Sequence, residues 1–483
     1  MAAFSPRGVP FPPTSLAEAL IRVLPGDLAT FFIELMQDWA IRSLGIGVIV
    51  AAVLLGGEVL ARTARPGAPR PFVAGAMLAA VSALAIVVGP SNDESPFAMA
   101  AALGASWLLF GFVAGRFYTL LTDVSEGQAD PARRRALRLG IGGVAGLAVT
   151  GGAVGWLAQK LGGPDTNVML VAPAQVAVIP ERPSFPDIPG LSPEVTSATD
   201  HYVVDINLVQ PSVSAEGWEL DVHGLVDREL ALGFEELQRR FDVVEEYQTL
   251  TCISNEVGGD LIGNSAWGGV RLRDVLEAAG VKDGAVDVVF TGDEGYTDSI
   301  PIETAMDPST LLAVSQNGEP LRQEHGFPCR VRVPMIYGMK NVKWLREIEV
   351  VGNDYQGYWM QRGWSDEAII HTGSRIDVAG TDRRATMGSP TWIAGVAWAG
   401  GRGISKVEVS TDGGETWDTA MLKDPISRYS WTLWAYRWTP DSTGGVAVVC
   451  RATDGDGEVQ TDDRAAPHPA GSTGYHFIDV TVS

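Results

Sequence analysis

Cysteine, histidine and positive charge are all scarce in this 483-residue chain, and each scarcity closes off a class of function. The three cysteines, Cys252, Cys329 and Cys450, lie far apart and form neither a disulfide framework nor a zinc pattern. At most one pair can bridge, so at least one thiol is left as a candidate ligand or nucleophile. The chain has no Cys-x-x-Cys-His haem motif, no iron–sulfur run and no nucleotide-binding glycine fingerprint. Histidine begins only at His201, which excludes a haem held by two histidines, and any histidine proton relay, from the segment before it. Lys and Arg number 36 against 58 Asp and Glu, a formal charge of -22. Residues 1 to 165 hold 12 of the basic and 11 of the acidic side chains, so nearly all of that charge lies beyond them. An acidic surface repels phosphates, which argues against nucleic acid as a partner.

What the chain has in plenty is apolar residues, 46% overall, concentrated in its first third. Leu44 to Ala61, Pro71 to Val88, Ala98 to Leu121 and Leu139 to Leu161 are each long enough to cross a bilayer, which takes about 20 residues of helix. Residues 1–165 are therefore expected to form an α-helical transmembrane bundle of four spans. Arg62, Arg65 and Arg70 follow the first span, and Arg133, Arg134, Arg135 and Arg138 precede the fourth. The positive-inside rule puts both loops in the cytoplasm and everything after residue 165 on the outer side. The run Arg133 to Arg138, followed by a Gly- and Ala-rich segment, also resembles a twin-arginine export signal kept as an internal anchor.

Residues 166–200 carry prolines at 173, 180, 183, 186, 189 and 193, the composition of a semi-extended tether. Short strand patterns follow at His201 to Asp205, Trp218 to Val222 and Tyr247 to Cys252, with helices over Gly233 to Phe241 and Val270 to Ala279. Strands and short helices without a regular repeat read as an α+β domain over 201–372. From Gly373 the chain changes to strands alone. Trp392 to Trp398, Lys406 to Ser410, Thr416 to Ala420, Trp431 to Trp438 and Val446 to Thr453, with a hairpin signal at Asp412-Gly413-Gly414, predict an all-β Ig-like sandwich over 373–483. Cys329 and Cys450 fall inside strands, where a thiol is a small buried hydrophobe.

Cys252 differs from these. It ends an apolar strand and opens the polar loop Ile253-Ser254-Asn255-Glu256-Val257-Gly258-Gly259. A soft thiolate at such an edge suits a soft or high-valent metal. Five further blocks follow in order, from Gly263-Asn264-Ser265-Ala266-Trp267-Gly268-Gly269 and Gly295-Tyr296-Thr297-Asp298-Ser299-Ile300-Pro301 through Asn317-Gly318 and His325-Gly326-Phe327-Pro328 to Tyr337-Gly338-Met339-Lys340-Asn341-Val342-Lys343-Trp344-Leu345. Together with Tyr358-Trp359 and Arg362 they resemble the sulfite oxidase type of molybdopterin-dependent oxidoreductases.

The resemblance implies molybdenum with molybdopterin as cofactor, with Cys252 as the protein's thiolate ligand. It assigns His325, Arg330, Asn341, Val342 and Lys343 to cofactor binding, together with His201 and Tyr202, and puts Tyr296 on the substrate side of the metal. Lys340 to Lys343 offers two ammonium groups in one turn, an expected cradle for the pterin phosphate. The wording Val407-Glu408-Val409-Ser410-Thr411-Asp412-Gly413-Gly414-Glu415-Thr416-Trp417 resembles the family's dimerisation domain and implies a homodimer. With no second redox group in the sequence, electrons pass to a separate partner.

One departure bears on the small-molecule substrate. Sulfite oxidases follow their cysteine, after a spacer and an asparagine, with arginines for the sulfite dianion; here Asn255 is followed by Glu256 and Val257. A carboxylate there disfavours a dianion. The expected activity is oxygen-atom transfer on a small substrate outside the cytoplasmic membrane. The rival readings are a sulfoxide or methionine sulfoxide reductase of the same fold and a cofactor-free scaffold in which Cys252 only packs.

Overall fold

The computed structural model describes residues 168–483 apart from 208 and 209. The four apolar spans, their orientation and the twin-arginine stretch lie outside the described residues. No helix within the described part is long and apolar enough to cross a membrane. Asp165–Asp205 and Val213–Ser483 form one compact unit.

The first half of this unit is built from strands. They are Glu219–Gly224 (β1), Leu230–Gly233 (β2), Val243–Thr251 (β3), Ile262–Arg271 (β4) and Asp287–Gly292 (β5). Thr297–Pro301 (β6), Leu311–Gln316 (β7), Glu319–Pro320 (β8), Arg330–Arg332 (β9) and Leu345–Val351 (β10) follow. One sheet has the order β2-β1-β10-β5-β6; the other has β3-β4-β7-β8, with β9 beside β7. Within these two sheets, among the described residues, β1 and β10 are the parallel pair and the other strand pairs are antiparallel.

On the first sheet β1 alternates in the way one covered face requires, Leu220 and Val222 in and their neighbours out. In the second sheet β4 is buried almost throughout. Its glycines admit it: a Cβ on Gly269 would stand 2.0 Å from the Leu312 carbonyl oxygen.

Helices are few, Phe234–Arg240 (α1), Leu272–Ala279 (α2) and Ile302–Ala305 (α3) among the described residues. In α2 the buried positions Leu272, Val275, Leu276 and Ala279 recur at helical spacing, and Gly280 ends it with φ 75°. This domain is therefore mostly β, where an α+β mixture is expected from the sequence. The reason is that antiparallel neighbours join through short turns and need no crossover helices. His201 to Asp205, expected as a strand, has no strand structure, and His201 is buried against other rings instead.

The proline-rich segment is extended, as its composition predicts, but it does not hang free. The Ala174 amide donates to Val243 O at 2.8 Å and the Glu245 amide to Gln175 O at 2.8 Å. Ile188 is buried. Thr196 is held by four bonds, giving its amide to Asn264 O and taking donors from the Asn264 amide, Ser265 Oγ and Asn317 Nδ2. Glu194 receives both Arg182 and Lys423.

The second half is a sandwich. Its strands are Gly373–Ala379 (β11), Arg384–Ala385 (β12), Thr391–Trp398 (β13), Ile404–Ser410 (β14) and Asp418–Thr419 (β15). They continue with Met421–Leu422 (β16), Thr432–Trp438 (β17), Gly444–Asp454 (β18) and His476–Val482 (β19). The two sheets run β11-β13-β17-β16 and β12-β19-β18-β14-β15. Ile393, Val407, Trp434, Trp438, Val448 and Ile478 fill the space between them. The stretch expected as a strand over Thr416 to Ala420 shrinks to β15, because the Asp412 carboxylate takes the amides of Glu415 and Thr416 into its own turn. Cys329 and Cys450 are buried free thiols.

Candidate active site

Cys252 follows the last residue of β3, its amide bonded to Leu261 O at 3.0 Å. Its Sγ lies 2.9 Å from Ser254 Oγ and is buried, with 8% of the residue exposed. Burial pushes the thiol pKa up, against a pull from Ser254 and Lys343. The loop after it is clamped by the sandwich. Arg375 donates to Gly259 O at 2.8 Å, and Ser472 Oγ to Asn255 O at 2.6 Å. Gly258, with φ 83°, lies so close to His476 that a Cβ would stand 2.5 Å from the ring.

A cationic cluster is buried in the same domain. Arg330 and Arg332 alternate with Val331 on β9, which puts both guanidinium groups on one face of the strand, 5.3 and 4.8 Å from the Trp267 ring. Arg330 donates to His325 O and Asn341 O, each at 3.1 Å. Arg332 donates to Asn341 Oδ1 and to Thr249 O. Burial lowers their pKa values to about 10 and about 9, offset in part by Tyr202 and, for Arg332, by Glu246.

His201 stacks on Tyr202 and meets Trp267 and His325 edge to face. Burial brings His201 down to about 3 and His325 to about 4, so both imidazoles are neutral near pH 7. His325 Nε2 lies 2.7 Å from Ala198 O, the distance of a neutral N–H donating to a carbonyl. Buried and without a hydrogen-bond partner among the described residues are Nε of Arg330, Nε of Arg332 and Nε2 of His201. Each such atom costs free energy on the order of 1–3 kcal/mol.

The remaining residues singled out from the sequence divide. Tyr337 packs in one cluster with Ile253, the residue after Cys252, and Met339, whose carbonyl accepts the Tyr296 hydroxyl, packs against that cluster. The Tyr202 hydroxyl lies against Gly338. Asn341 holds the turn rather than offering a free group, its Oδ1 accepting Arg332 and the Val333 amide. Val342 contributes a carbonyl that accepts the Val331 amide at 2.9 Å. Lys343 donates to Asp205 at 3.0 Å and to Glu324 O at 3.2 Å, with its ammonium over the Trp344 ring.

The expected two-lysine cradle is not formed. Lys340 is committed to Asp298, Asp366 and Ser299 O, because the 3-10 turn Gly338–Lys340 aims it away from Lys343. Tyr296 is also turned inward, its hydroxyl lying 3.0 Å from Asp298 Oδ2 and 2.9 Å from Met339 O. Glu256 is exposed. It lines a cleft with Thr251, Asn255, Tyr337, His371 and Trp398, and among the described residues neither lysine nor arginine lines that cleft.

No role falls to Arg332, Trp267 or Asp298 from the sequence, the last two standing there only as parts of the family blocks. The signals were there: arginines two apart on one short strand, and Tyr296-Thr297-Asp298 leading into β6.

Among the described residues no three His, Cys, Asp or Glu side chains converge to hold a metal by themselves. Residues 207–359 match the oxidoreductase molybdopterin binding domain, and residues 369–467 match the Mo-co oxidoreductase dimerisation domain. The chain belongs to the molybdopterin-dependent oxidoreductases. It is 33% identical over 307 residues to sulfite oxidase from Gallus gallus, covering 54% of this chain and 66% of that protein. It is 32% identical over 327 residues to the NAD(P)H nitrate reductase of Hordeum vulgare, covering 54% of this chain and 37% of that one. The sulfane dehydrogenase SoxCD from Paracoccus pantotrophus shares the fold, with a TM-score of 0.53 and 24% identity over 60% of this chain and 82% of its own. The oxidoreductase thus spans between a third and two thirds of the curated relatives named here.

The cofactor of this family is molybdenum with molybdopterin, and the residues present fit it. A phosphate-bearing organic group offers acceptors to the two free Nε–H groups of Arg330 and Arg332, and pterin N–H groups suit the bare nitrogen of His201. Among the described residues no carboxylate is bonded to the buried guanidinium groups, and a dianionic phosphate would supply that charge.

Proposed function

We propose that this oxidoreductase transfers an oxygen atom to or from a small neutral substrate, such as a sulfoxide or an N-oxide. The observation that carries the reading is the cleft lined by Thr251, the residue before Cys252, and bordered by Glu256, with neither lysine nor arginine among the described residues that line it. His371 in the same cleft is driven toward its neutral form by burial, so it adds no cation either. A sulfite dianion entering there meets a carboxylate and no lysine or arginine in the described lining, whereas a neutral sulfoxide meets hydrogen-bonding groups and the Trp398 ring.

In this reading Cys252 ligates the metal. Metal binding removes the thiol proton that burial otherwise retains. Arg330, Arg332 and His201 hold the pterin and its phosphate, His325 packs against His201, and Asn341 and Val342 fix the turn. Lys343 adds positive charge near Cys252, and Tyr202, Tyr296 and Tyr337 shape the space around the sulfur. When bound, the molybdenum centre supplies the two-electron oxygen-atom exchange. The electrons pass to or from a separate partner protein, the sandwich forms a homodimer, and the first 165 residues anchor the enzyme with its catalytic part outside the cytoplasmic membrane.

The purified, molybdenum-loaded protein should turn over sulfoxides with a kcat/KM at least about tenfold above that for sulfite, a difference of about 1.4 kcal/mol in transition-state binding. The opposite order would overturn the neutral-substrate reading. Absence of stoichiometric molybdenum in protein made with pterin supply would favour the cofactor-free scaffold instead. Replacing Arg133 and Arg134 by Lys should leave the catalytic part in the cytoplasm, and continued translocation would count against the export signal.

A further inference from the structure

Oxygen-atom transfer moves protons as well as electrons. Oxidation of a substrate takes one water and releases two protons and two electrons; reduction of a sulfoxide consumes the same and returns water. Tyr296, bonded to the carbonyl of Met339, which packs against the cluster holding Ile253 beside Cys252, is only 8% exposed, so these protons need a route across protein.

One route runs from that tyrosine. Its hydroxyl is 3.0 Å from Asp298 Oδ2, and Asp298 is fully buried. The other oxygen, Oδ1, accepts the Lys340 ammonium at 3.2 Å. Lys340, itself 1% exposed, also donates to Asp366 Oδ1 at 2.9 Å. The Asp366 side chain is 38% exposed, and its second oxygen faces the exposed Gln356 amide at 3.2 Å. Four side chains thus connect the neighbourhood of Cys252 with water through three hydrogen bonds.

A buried ion pair that merely stabilised the fold would not require the arrangement at the inner end. The Tyr296 hydroxyl has one proton and two acceptors, Asp298 Oδ2 and Met339 O at 2.9 Å. Both contacts are satisfied together when Asp298 carries a proton and gives it to the tyrosine oxygen, while the tyrosine gives its own to Met339 O. With Asp298 ionised, the tyrosine donates to Asp298. The same heavy-atom positions therefore serve both protonation states. Burial, countered by Lys340, brings Asp298 to about 6, where both states are populated near neutral pH.

We propose that Tyr296, Asp298, Lys340 and Asp366 form the proton path between the active site and solvent. The proposal rests on the oxygen-transfer reading above. For an outgoing proton, Tyr296 hands its hydroxyl proton to Asp298 as it takes up the new one. Lys340 yields a proton to Asp366, which releases it to water; the Asp298 carboxyl then turns its proton from the Tyr296 side toward the neutral Lys340 amine, which takes it up. The two electrons leave separately to a one-electron carrier protein. Running the shifts backward supplies a reduction.

The groups facing this path are few. Glu294 and Cys252 act on Tyr296, and Asp287 reaches the next residue through Ser299 Oγ at 3.1 Å. Asp298 is a positioning and relay residue, since its contact with the reaction runs through Tyr296.

The test uses the molybdenum-loaded full chain, with rates expressed per bound molybdenum. Asp298→Asn should lower kcat by about 100-fold, the scale of lost acid–base assistance. It should also abolish the change in kcat centred near pH 6 and raise the solvent deuterium isotope effect. Asp366→Asn, at the half-exposed end, should lower kcat about threefold, with recovery on adding a small weak acid such as imidazolium as a substitute carrier. Independently of turnover, the cofactor-free wild type should show a protonated-carboxyl infrared band that titrates across about pH 5 to 7 and is missing in Asp298→Asn. Wild-type kcat and pH profile in both variants would overturn the path while leaving the oxygen-transfer reading intact. If Asp298→Asn fails to fold, unaltered rates and no imidazolium effect in Asp366→Asn would overturn it alone. Loss of activity in every form, wild type included, would instead sink the oxygen-transfer reading.

Discussion

The two halves of the described unit solve the problem of an interior in opposite ways. Between the sandwich sheets lie Ile393, Val407, Trp434, Val448 and Ile478, an apolar filling that stabilises itself. The interior of the first domain holds Arg330, Arg332, Lys340, Asp298, His201 and His325, all buried. Such a set is costly unless each member is matched, and three of its nitrogens are not. One domain is complete as a folded chain, and the other is complete only around its cofactor.

Substitutions in the two interiors should therefore differ in kind. The largest effect falls on Cys252→Ala, which should reduce activity more than about 1,000-fold, over 4 kcal/mol, while moving stability by about 1 kcal/mol. Turnover, metal content and thermal midpoint measured on one preparation check this. Retention of wild-type turnover would remove Cys252 from the site. In the sandwich, Trp434→Ala should cost about 3–5 kcal/mol with or without cofactor, read from denaturant unfolding of both forms. Arg332→Met should separate the forms. The cofactor-free protein should be unchanged or up to about 3 kcal/mol more stable, because an uncompensated charge leaves the interior, while cofactor retention falls at least tenfold. Equal destabilisation of both forms would show that the arginine serves the fold.

A smaller effect follows from the histidines. His201, His325 and His476 have folded pKa values of about 3, about 4 and about 4, each depressed from 6.5 by burial. Below pH 6.5 the unfolded chain binds more protons at these positions, so their neutral packing is worth its full amount above that pH and is lost as pH falls toward 4. Thermal midpoints of His325→Gln should accordingly fall less between pH 6.5 and 4 than those of the wild type. Parallel slopes would contradict the burial of a neutral His325.

How much of this was legible from residues alone depends on how local the cause is. Cys252 at a strand end, α2 with Gly280 behind it, and the Trp-bearing strands of the sandwich all follow from short-range pattern. Lys340 did not, because two lysines three apart in sequence are aimed apart by a single 3-10 turn. Arg332 and Trp267 gained meaning only when β9 and β4 were both set beside β7. Glu256 sits close to Cys252 in sequence, yet it is exposed where the thiol is buried. In each case the missing information was direction, which tertiary packing sets.

The proline-rich strap shows what such distant partners imply for dissection of the molecule. Thr196 meets Asn264, Ser265 and Asn317, and Glu194 meets Lys423 of the sandwich side. A cleavage before His201 would leave these groups facing water and unfasten an edge shared by both halves. For limited proteolysis or domain transplantation, the functional body begins well upstream of its first strand.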